Sequence, residues 1–318
     1  MFYKEDVFMD NYSLLNYIGN TPLIRPAAFL ARCNVDHPLF VKCEGFNPAG
    51  SVKDRAALSI IEDGEYTGNI VSDTVIIEAT SGNTGIGLAF VCAQRGYRLI
   101  LTMPDSLSVD RRALLNAMGA ELVLTPAADG MKGAVEKANE LAEKYPSSFI
   151  AGQFANQANP DAHYRTTGPE IWQQTKGKVD VLVSTIGSGG TISGCGRYLK
   201  GKNSGIKVIG VEPAESPLLT QGHAGPHLIQ GIGANFVPEV LDRSVIDEVL
   251  TVPGEEAVET AKTFGRAEGQ LIGISSGAAL AAALQLIKRT EYADKTIVAI
   301  LPDRGERYMS TKLFEFGE

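Results

Sequence analysis

Residues 74–104, TVIIEATSGNTGIGLAFVCAQRGYRLILTMP, decide how the rest of the chain reads. A β-branched, continuously apolar run (TVIIEAT, 74–80) stops at a polar glycine loop. A helix of small and apolar residues follows (GIGLAFVCAQRG, 85–96), and then a second apolar run (YRLILTMP, 97–104). A short strand without polar alternation is one buried on both faces. Two such strands joined through a helix form the repeating unit of a parallel sheet.

The same pattern extends along the chain. SVDRRALLNAMGA (108–120) reads as an amphipathic helix capped by Ser108 and closed by Gly119, and ELVLTP (121–126) as a strand. GMKGAVEKANELAEKY (130–145) reads as a helix. Further on, VDVLVSTI (179–186), KVIGVEP (207–213) and TIVAILP (296–302) are strands, and TISGCGRYLKG (191–201) and SSGAALAAALQLIKR (275–289) are helices. The prediction is an α/β protein of two lobes, each a mostly parallel sheet flanked by helices. Ligands of such sheets bind beyond the carboxyl ends of strands, so the loops that follow strands are where chemistry is sought.

Bulk composition narrows the function. The chain has 318 residues, 44% hydrophobic and 21% charged, in the range of an ordinary globular enzyme. A net charge of -8 argues against nucleic acid as a partner. No apolar run approaches the ~18 residues of a membrane span. The opening MFYKEDVFMDNY is acidic and lacks the features of a signal peptide. Cys33, Cys43, Cys92 and Cys195 form no C-x-x-C pair and read as reduced thiols, which suggests a cytoplasmic protein. With only four histidines and no C-x-x-C pair, no zinc site and no metal are expected.

Two glycine loops and one lysine carry the chemistry. TIGSGGTISG (185–194) follows a strand and opens a helix, where backbone N–H groups and the helix dipole favour a phosphate. Thr191 can add a hydroxyl. A dinucleotide loop is the rival, with Glu212 at the ribose-binding position, but Ile192 stands where the third glycine belongs. EATSGNTGIG (78–87) has the same layout and no cation. It offers Thr80, Ser81, Asn83 and Thr84 to a carboxylate, or simple helix capping by Ser81 or Asn83. Lys53 lies in NPAGSVKDR (47–55), between a Pro/Gly turn and a helix that should begin over Ser51–Asp54. A placed, neutral lysine amine can form a Schiff base. Phosphate loop, carboxylate loop and such a lysine together suggest a pyridoxal phosphate enzyme acting on an amino acid. Asp54 and Arg55 read as stabilising the helix or the lobe interface.

Seven stretches in order resemble the fold-type II, tryptophan synthase β-like pyridoxal phosphate enzymes. They are IGNTPLIRP (18–26), NPAGSVKDR, TSGNTGIGLA (80–89), GSGGTISG (187–194), PHLIQGIGA (226–234), GISSGAAL (273–280) and GERYMST (305–311). Within that family the cysteine synthases, or O-acetylserine sulfhydrylases, are the best match. The resemblance implies a smaller, mobile lobe over 45–155 that carries the carboxylate loop. It implies a larger cofactor-binding lobe from 1–44 with 156–318. Lys53 would hold pyridoxal 5'-phosphate as the internal aldimine and then act as base at the substrate α-carbon. Gly187, Ser188, Gly189, Gly190 and Thr191 would cup the phosphate, Asn83 would bond the ring oxygen, and Ser275 would face the pyridine nitrogen. Thr80, Ser81, Asn83, Thr84 and Gln153 (in GQFANQANP) would hold the substrate, with Gly231 of QGIG lining the entrance.

The implied reaction is formation of L-cysteine from O-acetyl-L-serine and sulfide through an aminoacrylate. The implied assembly is a homodimer, with the C-terminal tail of serine acetyltransferase as a regulatory partner. The chain departs from the family pattern at two places, and the second keeps alternatives open. Ser188 replaces a commoner threonine but keeps a hydroxyl, so little change is expected. Asp303-Arg304 in LPDRGERY (301–308) stands where many sulfhydrylases have smaller residues, as in a related siderophore-precursor synthase. Arg304 reads either as a structural ion pair at a strand end or as a reader of a phosphate leaving group or anionic second substrate. O-phosphoserine as donor, and homocysteine or the glutamate amine as nucleophile, therefore stay open. So do a regulatory binding module, which Lys53 disfavours, and the dinucleotide enzyme, which Ile192 disfavours.

Overall fold

The computed structural model describes residues 13–315 apart from Ser81 and Leu107. In chain order the strands are β1 (Leu23–Ile24), β2 (Leu39–Cys43), β3 (Val75–Ala79), β4 (Arg98–Pro104), β5 (Glu121–Thr125), β6 (Ser148–Ile150), β7 (Val181–Thr185), β8 (Lys207–Pro213), β9 (Glu248–Val252) and β10 (Ile297–Leu301). The helices are α1 (Ala27–Arg32), α2 (Lys53–Tyr66), α3 (Asn83–Arg95), α4 (Val109–Ala117), α5 (Gly130–Lys144), α6 (Ala158–Ala162), α7 (Gly168–Gln174), α8 (Gly190–Lys202), α9 (Leu218–Gln221), α10 (Gly254–Glu268) and α11 (Ile274–Ile287).

Contacts divide the chain into two compact units. The first takes the described residues through Asn20, Asn47–Ala49 and Lys53–Gly152; the second takes Thr21–Phe46, Gly50–Val52 and the described residues from Gln153 on.

The first unit is built on a four-stranded sheet in the order β5-β4-β3-β6, parallel throughout. Ile76, Ile77, Ile100 and Leu101 on its two central strands are fully buried, the outcome expected for apolar runs without alternation. Edge strand β5 is partly exposed, with Leu124 open to solvent. Helices α2 and α3 pack closely because residue 87 is glycine. A methyl group there would stand 3.0 Å from the Lys53 carbonyl oxygen and 3.2 Å from the Ala57 Cβ. Ser108 occupies the N-cap position of α4 but makes no side-chain capping bond, which corrects the expectation drawn from its sequence position.

The second unit carries a six-stranded sheet in the order β1-β2-β10-β7-β8-β9. All pairs are parallel except β1 with β2. Successive residues face opposite layers. Val181, Val183, Ile209, Val211 and Ala299 join Phe29, Phe264, Leu280 and Leu286 in one core. Leu182, Val208, Val298 and Ile300 join Ile171, Ile192 and Leu199 in the other. This two-sided burial is why these strands read as unbroken apolar runs.

Asp247 secures the β9 edge. Its carboxylate accepts from the Val208 amide at 2.8 Å and pairs with Lys200 at 2.6 Å and Lys207 at 3.2 Å. Burial raises its pKa, but these three donors outweigh it and the net shift is downward. A carboxyl whose folded pKa lies below its unfolded value contributes stability above the ordinary carboxylate range and loses it as pH falls. Asp247→Asn should therefore flatten the acid limb of stability against pH, by less than about 1 kcal/mol at neutral pH. Urea melts between pH 3 and pH 7 check this; an unchanged acid limb would contradict it.

None of the four cysteines forms a disulfide among the described residues. Burial pushes the Cys43 and Cys92 thiols up to about 12, and Cys195 has no exposed surface. The folded protein at pH 8 should therefore react rapidly with a thiol reagent at no more than one site, the partly exposed Cys33. Denaturant should release the others, and two fast thiols in the native protein would sink the prediction.

Candidate active site

In the second unit the carboxyl ends of β2, β10, β7 and β8 lie along one edge of the sheet, since these strands are parallel. The loop after β7 turns sharply into α8. Gly189 adopts φ +85°, a conformation costly for any residue with a Cβ. A Cβ at Gly187 would overlap the carbonyl oxygen of Gly231, and one at Gly190 would overlap the Asn159 side chain. The Gly233 amide donates to Ile186 at 3.1 Å, so the QGIG segment is pinned along the loop. The structure thus joins Gly231 to the 187–191 loop through backbone packing. The loop is a cradle of bare backbone at the start of a 13-residue helix. First-turn amides have no intrahelical acceptor and carry partial positive charge. Ser188 and Thr191 add two buried hydroxyls.

Behind the cradle stands a polar row that sequence reading missed. Asn159, His163 and Thr167 follow at intervals of four, on α6 and the single π-helical turn His163–Thr167. Each is essentially fully buried. Asn159 Nδ2 donates to Ser188 Oγ at 2.9 Å. His163 Nε2 lies 3.2 Å from Thr191 Oγ1, and its Nδ1 lies 2.9 Å from Thr167 Oγ1. Gly194 permits the approach, since a Cβ there would overlap the Pro160 carbonyl. The only signal in the sequence is the four-residue polar spacing in ANPDAHYRTT, which means nothing until its partner helix is known.

The structure also answers two questions the sequence raised. Glu212 lies near the end of β8, but its carboxylate accepts from the Leu219 and Thr220 amides at 2.8 and 3.0 Å and from the Thr220 hydroxyl at 2.6 Å. It holds the start of α9, so it is committed to local structure and the dinucleotide alternative loses its ribose acid. Among the described residues Arg304 has no ion-pair partner at the strand end. Its Nε donates to the Gly45 carbonyl at 2.5 Å and its stem covers Gly45. Ser275 is the second residue of α11 and is buried. Gly273, just before that helix, donates to the Asp303 carbonyl at 3.2 Å, where the tight packing excludes a side chain.

In the first unit Lys53 is the first residue of α2, part-exposed between buried Asp54 and the helix behind it. The helix begins two residues later than expected. Ser51 forms an isolated bridge with Asp303, and the Val52 amide donates to Pro302 at 2.8 Å, so that stretch is extended within the second unit. Asp54 accepts from the Ala49 amide at 2.6 Å, tying the turn to the helix start. The loop after β3 passes through Thr80, buried, whose Oγ1 accepts from the Gly82 amide at 3.3 Å. Gly82 is the N-cap of α3, with no side-chain cap; Asn83 and Thr84 open the helix. Capping by Asn83 is therefore not its use. Ser81 lies outside the described residues. Glu78, buried on β3, accepts from the Gly152 amide at 2.7 Å. Gln153, the next residue, is buried and belongs to the second unit. Among the described residues no cluster of His, Cys, Asp and Glu could hold a metal ion, and no helix is long and apolar enough to cross a membrane.

Residues 14–303 match the family model described as pyridoxal-phosphate dependent enzyme. The chain belongs to this family. Among its relatives a cysteine synthase of Buchnera aphidicola is 50% identical over 306 residues, 93% of this chain and 96% of the relative. The crystal structure of cysteine synthase from Entamoeba histolytica superposes with a TM-score of 0.91 at 39% identity, covering 100% of this chain and 94% of that one. A structure of O-ureido-L-serine synthase superposes with a TM-score of 0.89 at 43% identity, covering 96% and 97%. The two-sheet α/β architecture of this pyridoxal-phosphate enzyme is the one its sequence motifs imply. The loop 187–191 fits the cofactor's phosphate: bare glycine backbone, a helix N-terminus and two hydroxyls converge where any Cβ at 187 or 190 would intrude.

Proposed function

We propose that this enzyme forms L-cysteine from O-acetyl-L-serine and sulfide by β-replacement. The observation that carries the reading is Lys53, a part-exposed residue on the first turn of a packed helix, in a chain of a pyridoxal-phosphate family half-identical to cysteine synthases. Bound pyridoxal phosphate supplies an electron sink for negative charge developing at the substrate α-carbon.

The chain's own residues do the rest. Gly187, Ser188, Gly189, Gly190 and Thr191 hold the phosphate. Lys53 would carry the cofactor in the resting enzyme; released from it, its amine would take the α-proton as acetate leaves the β-carbon and give a proton back to the α-carbon once sulfide has added there. Thr80, Ser81, Thr84 and Gln153 orient the substrate carboxylate, and Asn83 the ring oxygen. Ser275, a neutral hydroxyl toward the ring nitrogen, disfavours full ring protonation and so favours elimination. Closure of the 80–84 loop over the substrate would exclude water. Family resemblance also supports a homodimer and engagement by the C-terminal tail of serine acetyltransferase. Four cysteines that form no disulfide support a cytoplasmic setting.

A second reading, with O-phosphoserine as donor or another nucleophile, is kept because O-ureido-L-serine synthase is as similar to this chain as the Entamoeba cysteine synthase. Visible absorption of the holoenzyme separates the readings. O-acetyl-L-serine should change the spectrum, sulfide should restore it, and cysteine should accumulate. A response to O-phospho-L-serine alone would move the assignment to the second reading. No cofactor absorption, even after incubation with pyridoxal phosphate, would overturn both.

A further inference from the structure

We propose that Asn159 is a positioning residue of the phosphate cradle. Its side-chain amide commits the Ser188 hydroxyl proton to the bound anion and ties the cradle to Gln153. The inference rests on the reading that Ser188 faces the cofactor phosphate.

Asn159 is 1% exposed. Its Nδ2 lies 2.7 Å from the Gln153 carbonyl and 2.9 Å from Ser188 Oγ. A backbone carbonyl only accepts, so chemistry fixes which end of the amide faces Gln153. The NH2 group has two protons, one for each of these partners. Ser188 Oγ is thereby an acceptor toward Asn159, and its single proton must point elsewhere. Ser188 is 3% exposed, so bulk water is not its partner. A phosphate in the loop is. The Asn159 Oδ1 is buried against Gly190 without a hydrogen bond, which is unfavourable for stability. What the amide adds is its two donors. One of them grips the backbone of Gln153, a candidate substrate-carboxylate ligand, so a single side chain couples the two binding elements.

The test is a pyridoxal phosphate titration of apoprotein, prepared from holoenzyme, for Asn159→Ala, Ser188→Ala and the double variant. Phosphorus NMR of the loaded proteins accompanies it. Ser188→Ala should weaken cofactor binding about tenfold, the loss of one charge-assisted hydrogen bond. Asn159→Ala should weaken it about as much and shift the phosphorus resonance. The double variant should bind within about twofold of Ser188→Ala, because Asn159 acts through Ser188. Asn159→Asp keeps the shape, turns the Ser188 proton toward itself and adds negative charge. It should weaken binding more than Asn159→Ala, and it serves if the alanine variant does not fold.

Additive losses in the double variant, or unchanged affinity and resonance in both Asn159 variants, would overturn the proposal while leaving the phosphate loop in place. An unaffected Ser188→Ala would overturn it together with the assignment of Ser188 to the phosphate.

Discussion

Lys53→Ala lowers the rate of cysteine formation by at least about a thousandfold, the scale of losing a placed proton-transfer group together with the covalent nucleophile. The fold should survive. Residue 53 opens α2, where alanine is a good helix former, and the lysine side chain is not part of a buried apolar cluster. The turn before it is held by the Asp54 carboxylate on the Ala49 amide, and the helix behind it by Gly87 against the Lys53 carbonyl. Neither contact uses the amine. The expected pattern is an unchanged thermal melt of the apoprotein and loss of the visible band of lysine-attached cofactor. Product formation should fall below detection in a standard assay. A variant that keeps more than about one per cent of the rate would show that another group does the proton transfer.

Gly187→Ala is expected to weaken cofactor binding about a hundredfold. The added methyl would overlap the Gly231 carbonyl oxygen. This is backbone against backbone, and the Gly231 segment is restrained by the bond from the Gly233 amide to Ile186. Relief therefore requires the cradle itself to shift, and overpacking of this kind costs about 1–3 kcal/mol. Gly201→Ala, in the helix that follows the loop, is the control. Its added methyl meets nothing within 4 Å, so it should bind cofactor normally and melt no lower. Equal affinities for the two variants would show that the cradle has slack the packing does not suggest.

Much of the fold was legible because two-sided burial writes itself into sequence. The runs 181–185, 207–213 and 297–301 emerge as strands with bounds shifted by at most a residue or two from the apolar stretches. Edge and short elements were not legible. Strand β6 has three residues, and β9 interleaves polar positions with Val249 and Leu250. Helix α10 and strand β2 went unread beside stronger signals. The start of α2 was misplaced by two residues because Ser51 and Val52 are claimed by Asp303 and Pro302, some 250 positions away in the chain.

Two lysines mark the limit of local reading. Lys42, inside LFVKC, has no exposed surface; its amine is spent on Glu170 at 2.6 Å, Gln174 at 2.9 Å and the Thr21 carbonyl at 2.7 Å. Lys53 opens a helix and keeps part of its surface. Nothing within a few residues of Lys42 announces these partners.

By itself the sequence determined the alternating α/β architecture, the two glycine loops after strands and the lysine of NPAGSVKDR. Each follows from local rules: burial periodicity, glycine conformation and helix starts. Only the tertiary structure decided that Glu212 serves α9, that Arg304 is held by a carbonyl, and that Asn159 and His163 stand behind the 187–191 loop. Hydrogen-bond partners are set by which helix faces pack together, and that packing joins residues the chain places far apart.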